Sequence, residues 1–176
     1  VHPVSIGHIL RSALNVPAEA TAAGTTETEL EDCEDAWNEK VDGGVISGVD
    51  AVNYKKGTKS VKIQVTTDVG EDDILATEVV SETDMHSDTH IKFWIKSSVA
   101  CDAGDLVFMI SETAECGGIP KEVNIGALSA GVWSEQTLAL TDMGDFDKVI
   151  SIGIKMHVDK GEFTINIDDV RRVVAG

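Results

Sequence analysis

The chain has 176 residues, enough for one large domain whose core needs no covalent staples. Its 14 Lys and Arg stand against 31 Asp and Glu, a formal charge of −17, which argues against docking on nucleic-acid phosphates or on anionic lipid. Aromatics are only 5%, and no apolar run approaches the roughly 18 residues of a membrane helix. Val1–Leu10 has neither a basic n-region nor a sustained apolar h-region, so no secretory signal is expected there.

Residues 1–29 read as an N-terminal arm, extended and partly helical. Ile6, Ile9, Leu10 and Leu14 fall at helical offsets, enough for one or two turns. Pro17 interrupts, and the stretch AEATAAGTTETE that follows has no large apolar group to offset its ordering entropy. Such an arm gains order only from contacts made elsewhere, with Ile6, Ile9, Leu10 and Leu14 as its anchors.

From Leu30 to the end the period is two, and residues 30–176 read as one domain. An acidic opening strand is expected over Leu30–Trp37, and further strands over Val45–Tyr54 and Ile74–Val80. Val61, Ile63 and Val65 alternate with polar partners, as do Ile91, Phe93 and Ile95. Strands are also expected at Leu106–Ser111, Glu122–Ile125 and Trp133–Leu140. Ile150, Ile152, Ile154, Met156 and Val158 share one face, and so do Phe163, Ile165 and Ile167. Each run offers one apolar face, and glycine turns separate the runs. Nine or ten such strands without a long helix predict an all-β antiparallel sandwich and exclude a parallel α/β sheet.

Catalytic and nucleotide motifs are missing. Gly57-Thr58-Lys59-Ser60 lacks the upstream glycine of a phosphate loop, and no acidic pair stands out from an acidic background. No enzyme is expected. Cys33, Cys101 and Cys116 are an odd number; Cys101 and Cys116 either pair across a hairpin or stay free. Trp94 falls on the polar face of its strand, between Lys92 and Lys96, where it either stacks a ligand or partner or lies under a neighbouring loop. Trp37 and Trp133 are expected as core plugs near turns.

The order of elements over residues 30–170 resembles a carbohydrate-binding-module jelly roll. LEDCEDAW opens it, YKKGTKSVKIQV matches the pattern G-x-x-S-hydrophobic-x-hydrophobic, and IKFWIKSS forms a central strand. SAGVWSEQTLAL, ISIGIKM and FTINIDDV follow in turn. The layout, with an arm before a single sandwich, also resembles decoration proteins of tailed-bacteriophage virions. The first resemblance implies a structural calcium ion held by Glu31, Asp168 and Asp169, with carbonyls near Lys56-Gly57; the alternative is that both aspartates cap a strand end. Strand parity puts Asp168 on the solvent face and Asp169 beside Ile167, where an unpaired carboxylate is costly. The second resemblance implies a non-enzymatic capsid cement subunit on the virion exterior, made in the host cytoplasm. Its partners would be the major capsid protein and copies of itself as a homotrimer or dimer, with contacts through the arm and Trp94. The alternatives are a module that binds a host glycan, and a tail or baseplate component.

Overall fold

A computed structural model describes residues 24–66 and 69–175. The arm anchors Ile6, Ile9, Leu10 and Leu14 lie outside them. The described chain forms eleven strands: β1 (Thr25–Glu31), β2 (Lys40–Val41), β3 (Val45–Asp50), β4 (Ser60–Val65), β5 (Asp73–Thr83), β6 (Asp88–Ser97), β7 (Leu106–Ser111), β8 (Lys121–Asn124), β9 (Trp133–Ala139), β10 (Val149–Met156) and β11 (Phe163–Ala175). One short 3-10 turn, Ala114–Cys116, is the only helical segment among the described residues. All pairings are antiparallel, as the predicted jelly-roll sandwich requires.

Two sheets pack face to face. One runs β3-β4-β11-β6-β9, with β1 added along β11; the other runs β2-β5-β10-β7-β8. The alternating apolar residues meet between the sheets: Ile63, Phe93, Ile95 and Ile165 from one, Leu75, Phe108, Ile152 and Ile154 from the other, each 0–1% exposed. Phe93 stacks on Phe108 across the interface at 4.8 Å between ring centroids. Trp37 comes in from the loop before β2, fully buried, and sets its edge against Phe108 at 6.5 Å.

Strand β11 is the spine of the six-stranded sheet. One edge pairs with β6 along its length, while the other is shared, first by β4 (Phe163–Ile167) and then by β1 (Val170–Ala175). Between those two partners the register with β6 slips, from Asp168 opposite Trp94 to Arg171 opposite Lys92. This is a β-bulge, and Asp169 takes the left-handed conformation, φ 51°.

The N-terminal boundary differs from the expected one. Thr25–Glu29, read as arm, belong to β1 and pair with Arg171–Ala175. Residues this polar form a strand because β11 offers a free edge and because Glu27 meets Lys92 at 2.7 Å and Glu29 meets Lys56 at 3.3 Å. The strand expected over Leu30–Trp37 ends at Glu31, since Cys33 turns left-handed at φ 61°. The three cysteines are free and buried. Cys101 sits by Ser97, and Cys116 by Ser151 on the far sheet, so no pairing across a hairpin forms.

Candidate functional site

The two outer faces of the sandwich differ in kind. On the five-stranded sheet the outward positions include Thr77, Val79, Gly153, Lys155 and Glu122, and no aromatic residue. The segment after β7 folds back over this face. Cys116 rests against Gly153, where a Cβ would lie 3.0 Å from its Sγ and 2.9 Å from Thr77 Cγ2. Its amide donates to Ser151 Oγ, which donates to Glu39 at 2.6 Å. Burial holds the Cys116 thiol up at about 11, so it stays protonated and unreactive at neutral pH.

The six-stranded sheet carries the aromatics. Ile91, Phe93 and Ile95 point into the core, which sends Lys92, Trp94 and Lys96 outward. Trp133 pairs with Lys96 and Glu135 with Trp94, so Trp133 and Trp94 stand on one outward face, one diagonal step apart on neighbouring strands. Trp133 is therefore no core plug: it is half-buried on the surface of an edge strand. Trp94 is half-buried too, with Lys55 Nζ 4.3 Å above its ring. Tyr54, next to that lysine, is 43% exposed. The other aromatics lie in the core or packed against it.

The loop that carries Tyr54 and Lys55 is clamped at both ends by carboxylates. Asp168 Oδ2 accepts the amides of Lys55 and Lys56 at 2.5 and 2.9 Å. Glu34 accepts the amide and hydroxyl of Thr58, both at 2.6 Å, and the amide of Lys59. Gly57 between them sits at φ 65° against Glu34, with no room for a Cβ. Asp50 accepts from the Val52 and Asn53 amides and from the Asn53 side chain; despite opposing burial, these bonds hold its pKa at about 2.

The three carboxylates implied as calcium ligands do not act together. Asp168 does face outward but is covered by the clamped loop, fully buried, with Oδ1 unpartnered; burial raises its pKa. Asp169 departs from strand parity because the bulge turns it away from the core. Both its oxygens bond Arg171 Nε at 2.9 Å, Oδ1 also takes Lys56 Nζ at 2.8 Å, and its pKa is lowered against the cost of burial. Glu31 accepts the Cys33 amide and has Asp32, Glu78 and Asp35 around it; burial first, and these neighbours next, raise it to about 7. Glu31 and Asp168 both raise the buried Cys33 thiol, though burial is the larger cause. Among the described residues no three His, Cys, Asp or Glu side chains gather as a metal site. Among the described residues Asp168 and Glu31 have no basic partner at ion-pair distance, whereas Asp169 has two, Lys56 and Arg171.

No known sequence family matches this chain, and no curated protein matches it either. Solved structures do. The CBM22-1 xylan-binding domain of Paenibacillus barcinonensis Xyn10C is 14% identical, with a TM-score of 0.53 over 89% of this chain and 99% of that one. A family 11 carbohydrate-binding module of Clostridium thermocellum, in complex with a β-1,3-1,4-mixed-linked tetrasaccharide, is 14% identical at a TM-score of 0.52, covering 90% and 92%. An exo-β-agarase is 11% identical at 0.53, over 85% of this chain and 25% of that one. At such identities the likeness speaks for the fold: the described chain is built like the jelly rolls of carbohydrate-binding modules.

Proposed function

We propose that this protein is a non-catalytic domain that binds a polysaccharide on the outer face of its six-stranded sheet, with Trp94 and Trp133 as the stacking residues. The observation that carries the reading is their placement side by side on a sheet face of a jelly roll whose solved relatives are carbohydrate-binding modules. A sugar ring presents C–H groups to an aromatic face and hydroxyls to its rim. Here the rim holds Glu135 and Lys96, both on the same outward side. Lys55 over Trp94 is an exposed cation–π contact worth roughly 0.5–1 kcal/mol, small enough for a sugar ring to displace.

The expected capsid-cement role draws no support from the fold or from its structural neighbours, and the arm anchors that would carry it, Ile6, Ile9, Leu10 and Leu14, lie outside the described residues. The test is a panel of plant, algal and bacterial polysaccharides, read by affinity electrophoresis and calorimetry. Trp94→Ala and Trp133→Ala should each weaken the bound polysaccharide by about tenfold or more, as loss of a central aromatic contact does. An intact protein that binds nothing on the panel overturns the reading.

The structural calcium remains part of this proposal, with Asp168 and Glu31 as its side-chain ligands and without Asp169. Its test uses the sign of the Glu31 shift. A carboxyl raised from 4.5 to about 7 stabilises the fold fully below pH 4.5, and that contribution is lost as pH rises through 7. The metal-free protein should therefore lose melting temperature across that window, and Glu31→Gln should flatten the loss. Bound calcium favours the ionised carboxyl, so adding it at pH 7.5 should raise the melting temperature of the parent and not of Glu31→Gln. No calcium-dependent shift in the parent removes the ion from the account.

A further inference from the structure

The charges on the proposed binding face say which polysaccharide it takes. We infer that the ligand is an anionic glycan, carboxylated or sulfated; this rests on the binding face proposed above and narrows it. The chain has only 14 basic residues against 31 acidic ones, yet six of the 14 converge on this face: Lys55, Lys56, Lys62, Lys92, Lys96 and Arg171. They divide by partner. Lys56, Lys92 and Arg171 are spent on ion pairs with Glu27, Glu29, Glu135 and Asp169, which hold β1 and the bulge to the sheet. Lys55, Lys62 and Lys96 have no carboxylate at ion-pair distance among the described residues. Lys55 lies over Trp94, and Lys96 bonds only the neutral Asn53 side chain at 2.8 Å.

Lys55 and Lys96 border the aromatics, and Lys62 lies farther along the same face. Trp133, Lys96, Asn166 and Lys62 follow one another across β9, β6, β11 and β4 in a single row of paired residues. At about 4.8 Å per strand the row spans roughly 14 Å; Asn166 in its middle is buried and bonded to Asp50 and Ser60, so a sugar ring has access at the Trp133–Lys96 end. Trp94 and its lysine stand in the next row. Three carboxylates share this part of the face. Asp168, opposite Trp94, is buried beneath the clamped loop and accepts its amides. Asp50 is saturated by amide donors from Val52, Asn53 and Asn166, and Glu135 leans to Lys92 at 3.8 Å. In a molecule at −17, long-range repulsion works against an acidic polymer, so unpaired lysines grouped around two tryptophans serve a local purpose. Each offers a charge-assisted hydrogen bond to a carboxylate or sulfate while the rings stack on the sugar.

The experiment compares polygalacturonate, alginate and carrageenan with xylan and mixed-linked β-glucan, using the parent and a triple variant Lys55→Gln, Lys62→Gln, Lys96→Gln. All three lysines reach solvent, and an unchanged melting temperature confirms that the variant folds. The expected result is binding to one or more anionic polymers, weakened by added salt and reduced about tenfold or more in the triple variant. Preference for polygalacturonate and alginate identifies a carboxylate ligand; preference for carrageenan, a sulfate. Equal binding of neutral polymers, insensitive to salt, overturns the anionic class and leaves the binding face standing. Anionic binding that survives the triple variant overturns the lysine assignment. Silence towards every polymer overturns the binding proposal itself.

Discussion

Trp37→Ala should cost this protein about 3–5 kcal/mol of stability, the range for a fully buried aromatic lost from a packed core. The residue is completely buried and comes from a loop rather than from a strand. Its ring closes the row Trp37–Phe108–Phe93, which joins the two sheets. At roughly 2–4 °C per kcal/mol for a chain this size, the melting temperature should fall by about 10 °C. Trp37→Phe separates packing from chemistry. It keeps an aromatic edge towards Phe108 and removes the buried indole N–H that has no acceptor. Its loss should be clearly smaller than that of the alanine variant, measured by thermal and urea unfolding. Equal losses would mean that shape, and not buried apolar volume, decides the site.

The second large effect is expected at Asp168, and it couples stability to binding. Asp168 is the acceptor for two loop amides that have no other partner, and the loop it holds brings Lys55 over Trp94. Asp168→Ala leaves both donors unsatisfied, at about 1–3 kcal/mol each when they stay buried. The loop can relax into water, so the total should settle near the lower end, roughly 2 kcal/mol. Asp168→Asn keeps an acceptor of the same shape and should cost much less. It also removes a charge that the site disfavours: burial raises the Asp168 pKa, so its charged form opposes folding increasingly as pH climbs above 3.8. The asparagine variant should gain on the parent between pH 4 and 8 in metal-free buffer. For binding, Asp168→Ala should weaken the polysaccharide contact by loosening Lys55 and Tyr54, with the tryptophans untouched. An alanine variant as stable as the parent, with full binding, would show that the clamp contributes nothing.

Much of the fold was legible in the residue order. Alternation at Val61–Val65, Ile91–Lys96 and Phe163–Ile167 separated an inner from an outer face, and Phe93 and Trp94 lie where that alternation puts them. Alternation works here because each strand is half-buried, so the period of two is written in the side chains themselves. Trp133 was misplaced because β9 is ambiguous: WSEQTLA carries one large apolar residue on each parity, Trp133 on one and Leu138 on the other. Only the register with β6 chooses Leu138 for the core. Thr25–Glu29 gave no strand signal for a related reason, since an exposed edge strand is specified by its partner and its ion pairs.

What the sequence determined by itself was the class: an acidic, aromatic-poor, all-β chain whose strands each offer one face to a core. Local periodicity and composition suffice for that, because neither depends on which strand neighbours which. The tertiary structure decided the site. It set Trp133 beside Trp94, gathered lysines from β4, β6 and a loop onto one surface, and gave Asp169 to Arg171 and Lys56 through a bulge that no parity rule foresees. Those outcomes depend on pairing between residues up to 113 positions apart, as between Lys56 and Asp169. The free energy that selects such pairings belongs to the assembled sheet and to no segment of it.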